Sequence, residues 1–229
     1  MVNTAIILAG GLGTRIKDTV PNLPKPMAPI NGRPFLEYQI DYLIQQGITK
    51  IILSVGYLKE AIINHFGNQY KKASIEYSIE SSPLGTGGAL MLALKNQTEP
   101  VLVINGDTFF EIDLMELAKL HHVNNSKLTI ALFRTDPIKR YIGIEIGNNG
   151  EILTLKMSSN ASLINGGIYL IEPFFFDSLD FETGKKFSFE DDILVKIVEN
   201  GDNLFGKEFA GLFIDIGIPD DYYRAQELL

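Results

Sequence analysis

Cysteine is absent from the 229 residues, which removes disulfides, zinc thiolate sites, iron–sulfur clusters and cysteine nucleophiles together. No apolar run approaches the roughly 20 residues of a membrane-spanning helix, so an integral membrane protein of that kind is excluded. The opening Met1-Val2-Asn3-Thr4 lacks a basic n-region and leads into only a short apolar run. No secretory signal is expected, and the cytoplasm is the expected location. Positive charge is scarce: 20 Lys and Arg stand against 28 Asp and Glu, a net charge of −8, which argues against a nucleic-acid scaffold. A Pro/Ser/Gly linker, a low-complexity tract and a repeat of fixed period are also missing, and no hexapeptide array suggests a separate C-terminal domain. What is present, 45% hydrophobic and 21% charged residues, is the composition of a folded domain and excludes intrinsic disorder.

Strand-like and helix-like segments alternate through the first half. Ala5–Ala9, Ile51–Leu53, Ile75–Ile79 and Val101–Ile104 read as strands. Helical spacing marks 34–46, Leu58–Phe66, 88–95 and Asp113–His121, the last capped by Asp113. Beyond residue 127 strands dominate: Leu128–Phe133, Ile142–Ile146, Ile152–Leu155, Leu163–Ile171 and Leu212–Ile216. Asn148-Asn149-Gly150 is a hairpin turn signal, and helices are expected at Pro173–Leu179, Phe189–Val198 and Pro219–Leu228. The pattern predicts one α/β domain over 1–229, a mostly parallel sheet flanked by helices and extended by a smaller antiparallel part.

Directly after the first strand comes Gly10-Gly11-Leu12-Gly13-Thr14-Arg15, and ten residues beyond Arg15 stands Lys25, held between Pro24 and Pro26. Glycines at a strand end let backbone N–H groups approach a phosphate without Cβ obstruction. The dinucleotide fingerprint fails because Ile16 stands where its third glycine belongs, and the Walker Gly-Lys-Ser/Thr is absent. Asp107 follows the apolar strand at Asn105-Gly106-Asp107, where ligands gather in open α/β sheets. Asp215 lies inside a second apolar run, where a carboxylate needs a hydrogen-bond partner, a cation or a raised pKa. Each Asp alone fits a turn or a structural ion pair equally well. Together, beside the loop, they read as oxygen ligands for Mg²⁺.

Gly11-Leu12-Gly13-Thr14-Arg15…Pro24-Lys25 resembles the motif of the sugar-1-phosphate nucleotidyltransferases, and the resemblance runs through essentially the whole chain. It implies a Rossmann-like, GT-A-like fold, with a nucleotide-binding half at 1–126 and a sugar-phosphate-binding half at 127–229. It implies catalytic roles for Arg15, on the departing pyrophosphate, and Lys25, on the phosphate under attack. Nucleotide contacts are implied at Leu8, Ala9, Gly10, Gly11, Gly13, Thr14, Arg15, Lys25, Glu80, Gly85, Thr86 and Asp107, and Mg²⁺ ligands at Asp107 and Asp215. Glu80 opens the segment similar to the family's base-binding loop. A carboxylate there accepts from both guanine N1–H and the N2 amino group, which favours GTP over UTP or dTTP.

On the sugar side the resemblance implies Gly143 and Lys156, with Asn165 offering a polar contact unless Asn165-Gly166-Gly167 is a simple bulge. Leu155 departs from the pattern, since many relatives place a sugar-binding glutamate there. The runs Pro26–Gly32, Asn105–Phe110 and Phe213–Gly217 are most similar to a branch that guanylylates D-glycero-α-D-manno-heptose 1-phosphate. The expected partners are therefore GTP and a sugar 1-phosphate, with no nucleic acid or membrane; a homo-oligomer stays open. Transfer to mannose 1-phosphate, a UTP-dependent reaction on N-acetylmuramate or hexose 1-phosphate, and a non-catalytic nucleotide-sugar-binding subunit remain alternatives.

Other candidates read as structural. His65, His121 and His122 are taken as surface or packing residues, Phe174-Phe175-Phe176 as core, and Ser188-Phe189-Glu190-Asp191 as a capping box without chemistry. Residues 1–33 hold four cations (Arg15, Lys17, Lys25, Arg33) and one acid (Asp18), a local +3 against −11 for the rest. The phosphate loop is thus a local exception in an acidic chain.

Overall fold

The buried run Ala5-Ile6-Ile7 must pair its backbone on both edges, because no water reaches it. The computed structural model describes residues 2–11, 22–135, 142–156, 162–201 and 203–229. In it, β1 (Thr4–Leu8) lies inside a ten-stranded sheet. On one side β4 (Lys50–Val55) and then β6 (Ala73–Ile79) run parallel to it, and the short β5 (Gln69–Tyr70) closes that edge antiparallel. On the other side β1 pairs in parallel with β7 (Val101–Asn105). Beyond β7 the sheet turns antiparallel through β12 (Leu163–Ile171), which also pairs β9 (Leu128–Arg134) and β10 (Gly143–Ile146). β10 continues into β11 (Ile152–Lys156), and β13 (Leu204–Phe209) joins β9 in parallel.

Successive side chains of β1 feed opposite faces of the sheet, as the strand period of two requires. Ala5 and Ile7 pack with α1 (Phe35–Gln45), α2 (Lys59–Phe66) and α4 (Leu114–Val123) through Leu36, Ile40, Ile62 and Leu117. Ile6 packs on the other face with α3 (Gly85–Leu94) and α5 (Val195–Glu199) through Leu90, Ala93 and Ile197. Two small ribbons lie apart from the main sheet: β2 (Pro29–Ile30) with β3 (Arg33–Pro34), and β8 (Thr108–Phe110) with β14 (Phe213–Asp215). A third core cluster joins them to α6 (Pro219–Leu228) through Ile30, Phe109, Ile214, Tyr222 and Ala225. The Tyr222 hydroxyl and Gln226 Nε2 both donate to the Pro29 carbonyl, so the last helix returns to the first half of the chain.

The α/β architecture, the Asp113 cap, β12 and α6 follow the sequence expectation. The hairpin at Asn148-Asn149-Gly150 does too, with Gly150 at φ +85°. Four details differ. The helix expected from residue 88 begins at Gly85, because Phe187 packs where side chains on Gly85 and Gly87 would sit. Pro173–Leu179 shortens to a 3₁₀ turn at Phe175–Ser178. Phe189–Val198 opens with a π-helical turn, Phe189–Leu194, before α5. The strand expected at Leu212–Ile216 shortens to Phe213–Asp215, which pairs with β8. Strand β13 had no counterpart in the sequence reading.

Candidate active site

The chain steps from β1 outward to β4 and β6, then crosses back to β7 on the opposite edge of β1. Such a switch point leaves a crevice at the carboxyl ends of the strands. The Gly10–Gly11 loop, the Asn105-Gly106-Asp107 turn and the Ser54–Gly56 strand end meet there. Ala9 N–H donates to the Ser54 carbonyl at 2.8 Å and Gly106 N–H to the Leu8 carbonyl at 3.1 Å. A Cβ on Gly106 would stand 2.5 Å from that Leu8 carbonyl, so only glycine permits the approach.

Lys25 lies in a 3₁₀ turn, Lys25–Met27, entered through Pro24 in an extended conformation. Its Nζ is 2.5 Å from Asp107 Oδ2, with Lys25 8% and Asp107 31% exposed. A nearly buried ammonium is tolerated because this carboxylate pairs with it. The β8–β14 ribbon sets Asp215 opposite Thr108, and Ile216 N–H donates to the Asp107 carbonyl, which brings the end of β14 beside the turn that carries Asp107. Asp215 Oδ1 accepts from Gly217 N–H at 2.7 Å. A Cβ on Gly217 would lie 2.6 Å from Asp215 Oδ1 and 3.0 Å from Lys25 Nζ, so both polar atoms border one point. Of the paired aspartates and lysine inferred from sequence, the structure thus assembles all three.

Glu80 sits on the other side of the loop. Its Oε2 accepts from Leu84 N–H at 2.8 Å, and its Oε1 lies 2.3 Å from where a Gly10 Cβ would be. Burial pushes this carboxyl upward, opposed by the Leu84 amide. Thr86, in the first turn of α3, bonds to the segment after Ser188: its hydroxyl accepts from Phe189 N–H at 2.9 Å and donates to Glu190 Oε2 at 2.7 Å. Gly85 has φ +71°, and Phe187 carbonyl oxygen lies 2.4 Å from its absent Cβ.

A cleft next to the aspartates is lined by Asn105, Asp107, Thr108 and Asp215, by Ile142, Ile144 and Leu155, and by Asn165, Glu190 and Asp191, among others. Gly143 faces Lys156 directly in the antiparallel register of β10 and β11. The bulge reading of Asn165-Gly166-Gly167 holds, because the register with β9 shifts between Asn165 and Tyr169 and Gly167 takes φ +71°. Asn165 fastens that bulge, accepting from Gly167 N–H at 2.9 Å and donating to the Tyr169 hydroxyl at 2.7 Å. The Ser188 cap is real, with its hydroxyl accepting from Asp191 N–H. Yet the same turn aims Glu190 at the cleft, a placement sequence reasoning missed. The only local signal was a carboxylate inside the capping segment.

Gly13, Thr14 and Arg15 lie outside the described residues, as does the Lys156 side chain. Among the described residues no cluster of three or more acidic or imidazole side chains is poised as a metal cage. His121 is buried against Thr129 and Glu172, and burial lowers its pKa. Phe175 and Phe176 are core, whereas Phe174 is exposed.

A glycine-rich crevice at the sheet's switch point, with a buried lysine and two aspartates beside it, defines a phosphate-handling α/β protein. The nucleotidyl transferase family profile matches residues 4–229, and the chain belongs to that family. It is 45% identical to a D-glycero-α-D-manno-heptose 1-phosphate guanylyltransferase of Aneurinibacillus thermoaerophilus, covering 98% of this chain and 97% of that one. Identity to the protein of the same description from Campylobacter jejuni is 44%, over 96% of this chain and 97% of the relative. The crystal structure of HddC from Yersinia pseudotuberculosis complexed with GMP-PN superposes with a TM-score of 0.83 at 34% identity, over 99% of both chains.

Proposed function

We propose that this protein transfers GMP from Mg²⁺-bound GTP to D-glycero-α-D-manno-heptose 1-phosphate, releasing pyrophosphate and forming the GDP-sugar. The observation that carries the reading is the 45% identity over almost the full length of both chains, with the polar cluster of Lys25, Asp107 and Asp215 at the predicted crevice. A sugar-phosphate oxygen attacks the α-phosphorus of GTP, a new P–O bond forms, and the α–β bridging bond breaks with its electron pair leaving on pyrophosphate. The attacking oxygen is already ionised near neutral pH, since a phosphate monoester loses its second proton at a pKa of about 6. No side chain has to act as general base, and the protein's contribution is positioning and charge compensation.

In this assignment the backbone of Gly10 and Gly11 and the side chains of Arg15 and Lys25 receive the phosphates. Lys25 exchanges part of its contact with Asp107 for a phosphate oxygen. Glu80 accepts from the guanine edge, and its seat against Gly10 supports that placement. Gly143, Lys156 and the surrounding β10–β12 segment receive the sugar phosphate. Two carboxylates without thiolate or imidazole neighbours suit Mg²⁺, which takes one or two carboxylates and completes its shell with water and phosphate oxygens. Asp107 and Asp215 would hold it, and when bound it supplies neutralisation of charge on the α-phosphate.

Pyrophosphate release measured across GTP, UTP, dTTP and CTP with a panel of sugar 1-phosphates tests the reading. GTP with the heptose 1-phosphate is expected to give the highest kcat/KM. Turnover with UTP or dTTP and none with GTP would overturn it.

A further inference from the structure

The apolar wall of the cleft at Ile142, Ile144 and Leu155 offers nothing to a sugar hydroxyl, so polar recognition must come from its other lining residues. Several of these are already engaged in holding the site together. Asp107 binds Lys25, Asp215 accepts from Gly217 N–H, and Asn165 fastens the β12 bulge. Glu190 is placed differently. Its Oε2 accepts from the Thr86 hydroxyl at 2.7 Å and its Oε1 from the Tyr169 hydroxyl at 3.2 Å, so each oxygen is aimed by one neutral donor. A carboxylate has about four lone-pair positions, and these two bonds leave acceptor capacity on both oxygens.

Both donors are themselves fixed. Thr86 accepts from Phe189 N–H, which leaves its proton for Glu190. Tyr169 is fully buried and accepts from Asn165, and burial together with the adjacent Glu190 carboxylate keeps its phenol protonated. The carboxylate is thus held rigid at the edge of the cleft, and among the described residues no cation pairs with it. That is how a polyol is selected: hydroxyl donors meet a preorganised acceptor that loses little freedom on binding.

We propose that Glu190 is a specificity-determining residue that accepts hydrogen bonds from the hydroxyls of the sugar 1-phosphate, with Thr86 and Tyr169 as its positioning residues. Leu155 leaves the β11 side of the cleft apolar, and Glu190 supplies the carboxylate from the π-helical turn. The proposal rests on the sugar 1-phosphate reading above.

The test uses whichever sugar 1-phosphate the unaltered protein turns over. Glu190→Gln is expected to lower kcat/KM for the sugar phosphate by about tenfold to a hundredfold, while KM for GTP stays within about twofold. Monodeoxy analogues of the sugar 1-phosphate supply a readout that a merely structural role would not move. In the unaltered protein, removal of the hydroxyl that Glu190 accepts should cost a similar factor, and in Glu190→Gln it should cost little more. Equal losses toward GTP and sugar, or losses that simply multiply in the variant, would overturn the proposal. So would monodeoxy analogues that all stay within about threefold of the parent in the unaltered protein, an arm independent of the variant's folding. Either failure leaves unaltered turnover intact. Failure of sugar 1-phosphate turnover itself is distinct, because then no sugar 1-phosphate is turned over with any nucleotide and both ideas fall. Turnover with UTP or dTTP alone overturns the choice of GTP and leaves the Glu190 test to be run with that nucleotide.

Discussion

Two polar clusters in this molecule use similar residues to opposite ends. On the outer face of α1, Arg33 donates to Glu37 at 2.9 Å and to Asp41 at 2.8 Å, Lys71 pairs with Asp41 at 2.5 Å, and His65 meets Glu37 at 2.7 Å. Every carboxylate oxygen there has a cationic or imidazole partner reached by a long, partly exposed side chain. At the crevice, four carboxylates (Asp107, Asp215, Glu190, Asp191) line the cleft; Asp107 pairs with Lys25, Asp215 accepts from the Gly217 amide, and Glu190 accepts from the Thr86 and Tyr169 hydroxyls. The first cluster is complete in itself. The second is oriented by the fold toward an open cleft. Pairing alone therefore does not mark a site; carboxylates gathered at a cleft beside the ends of parallel strands do.

That contrast can be broken most sharply at Lys25. Lys25→Met is expected to lower kcat/KM for pyrophosphate release by about 10²- to 10³-fold, the scale of a lost charge-stabilising donor. A variant within a few-fold of the unaltered protein would mean that the ammonium serves only Asp107. Gly217→Ala probes the point shared by Lys25 Nζ and Asp215 Oδ1. Pushing those atoms aside should cost roughly 10- to 100-fold in turnover, since small misplacements at a reacting centre are expensive. A crystal structure or activity unchanged by the alanine would show that the site gives way without harm.

The outer cluster should respond more weakly and without loss of activity. Arg33→Met is expected to destabilise by about 1 kcal/mol or less, as partly exposed ion pairs do, with pyrophosphate release unaffected. Burial raises the Glu37 and Asp41 carboxyls, but hydrogen bonds from His65 and Arg33 to Glu37, and from Lys71 and Arg33 to Asp41, outweigh it and hold both pKa values low. Depressed carboxylate pKa values stabilise the fold above the ordinary carboxylate range, and that contribution is lost as pH falls through the folded values. Thermal melts of unaltered and Arg33→Met protein should therefore differ near pH 7 and converge in acid. A gap that persists unchanged into acid would assign the stabilisation to packing of Arg33 on the Tyr38 ring, 4.7 Å away.

Much of the fold was legible because local chemistry and tertiary placement agree. The apolar run of β1 ends in glycines, Asp113 caps α4, and β12 and α6 carry their periodicity to their ends. Elements that were not legible owe their form to distant partners. Leu204–Phe209 becomes a strand by lying parallel to β9, and its Gly206 makes room for Leu132, whose Cδ1 lies 2.6 Å from the absent Cβ. Gly85, Gly87 and Gly88 have weak helical preference, yet they open α3, where Phe187 and Lys185 occupy the space that a Cβ at those three positions would need.

The sequence by itself determined the class of chemistry through a family resemblance, carried by the glycines at a strand end, the proline-framed lysine and the two aspartates after apolar runs. Only the tertiary structure decided which groups meet. Asp215 reaches Asp107 through a ribbon between segments about a hundred residues apart. Thr86 serves Glu190, and Glu190 reaches the cleft, because a π-helical turn packs on α3. No periodicity within either segment encodes that contact, since it arises from side chains competing for the same buried volume.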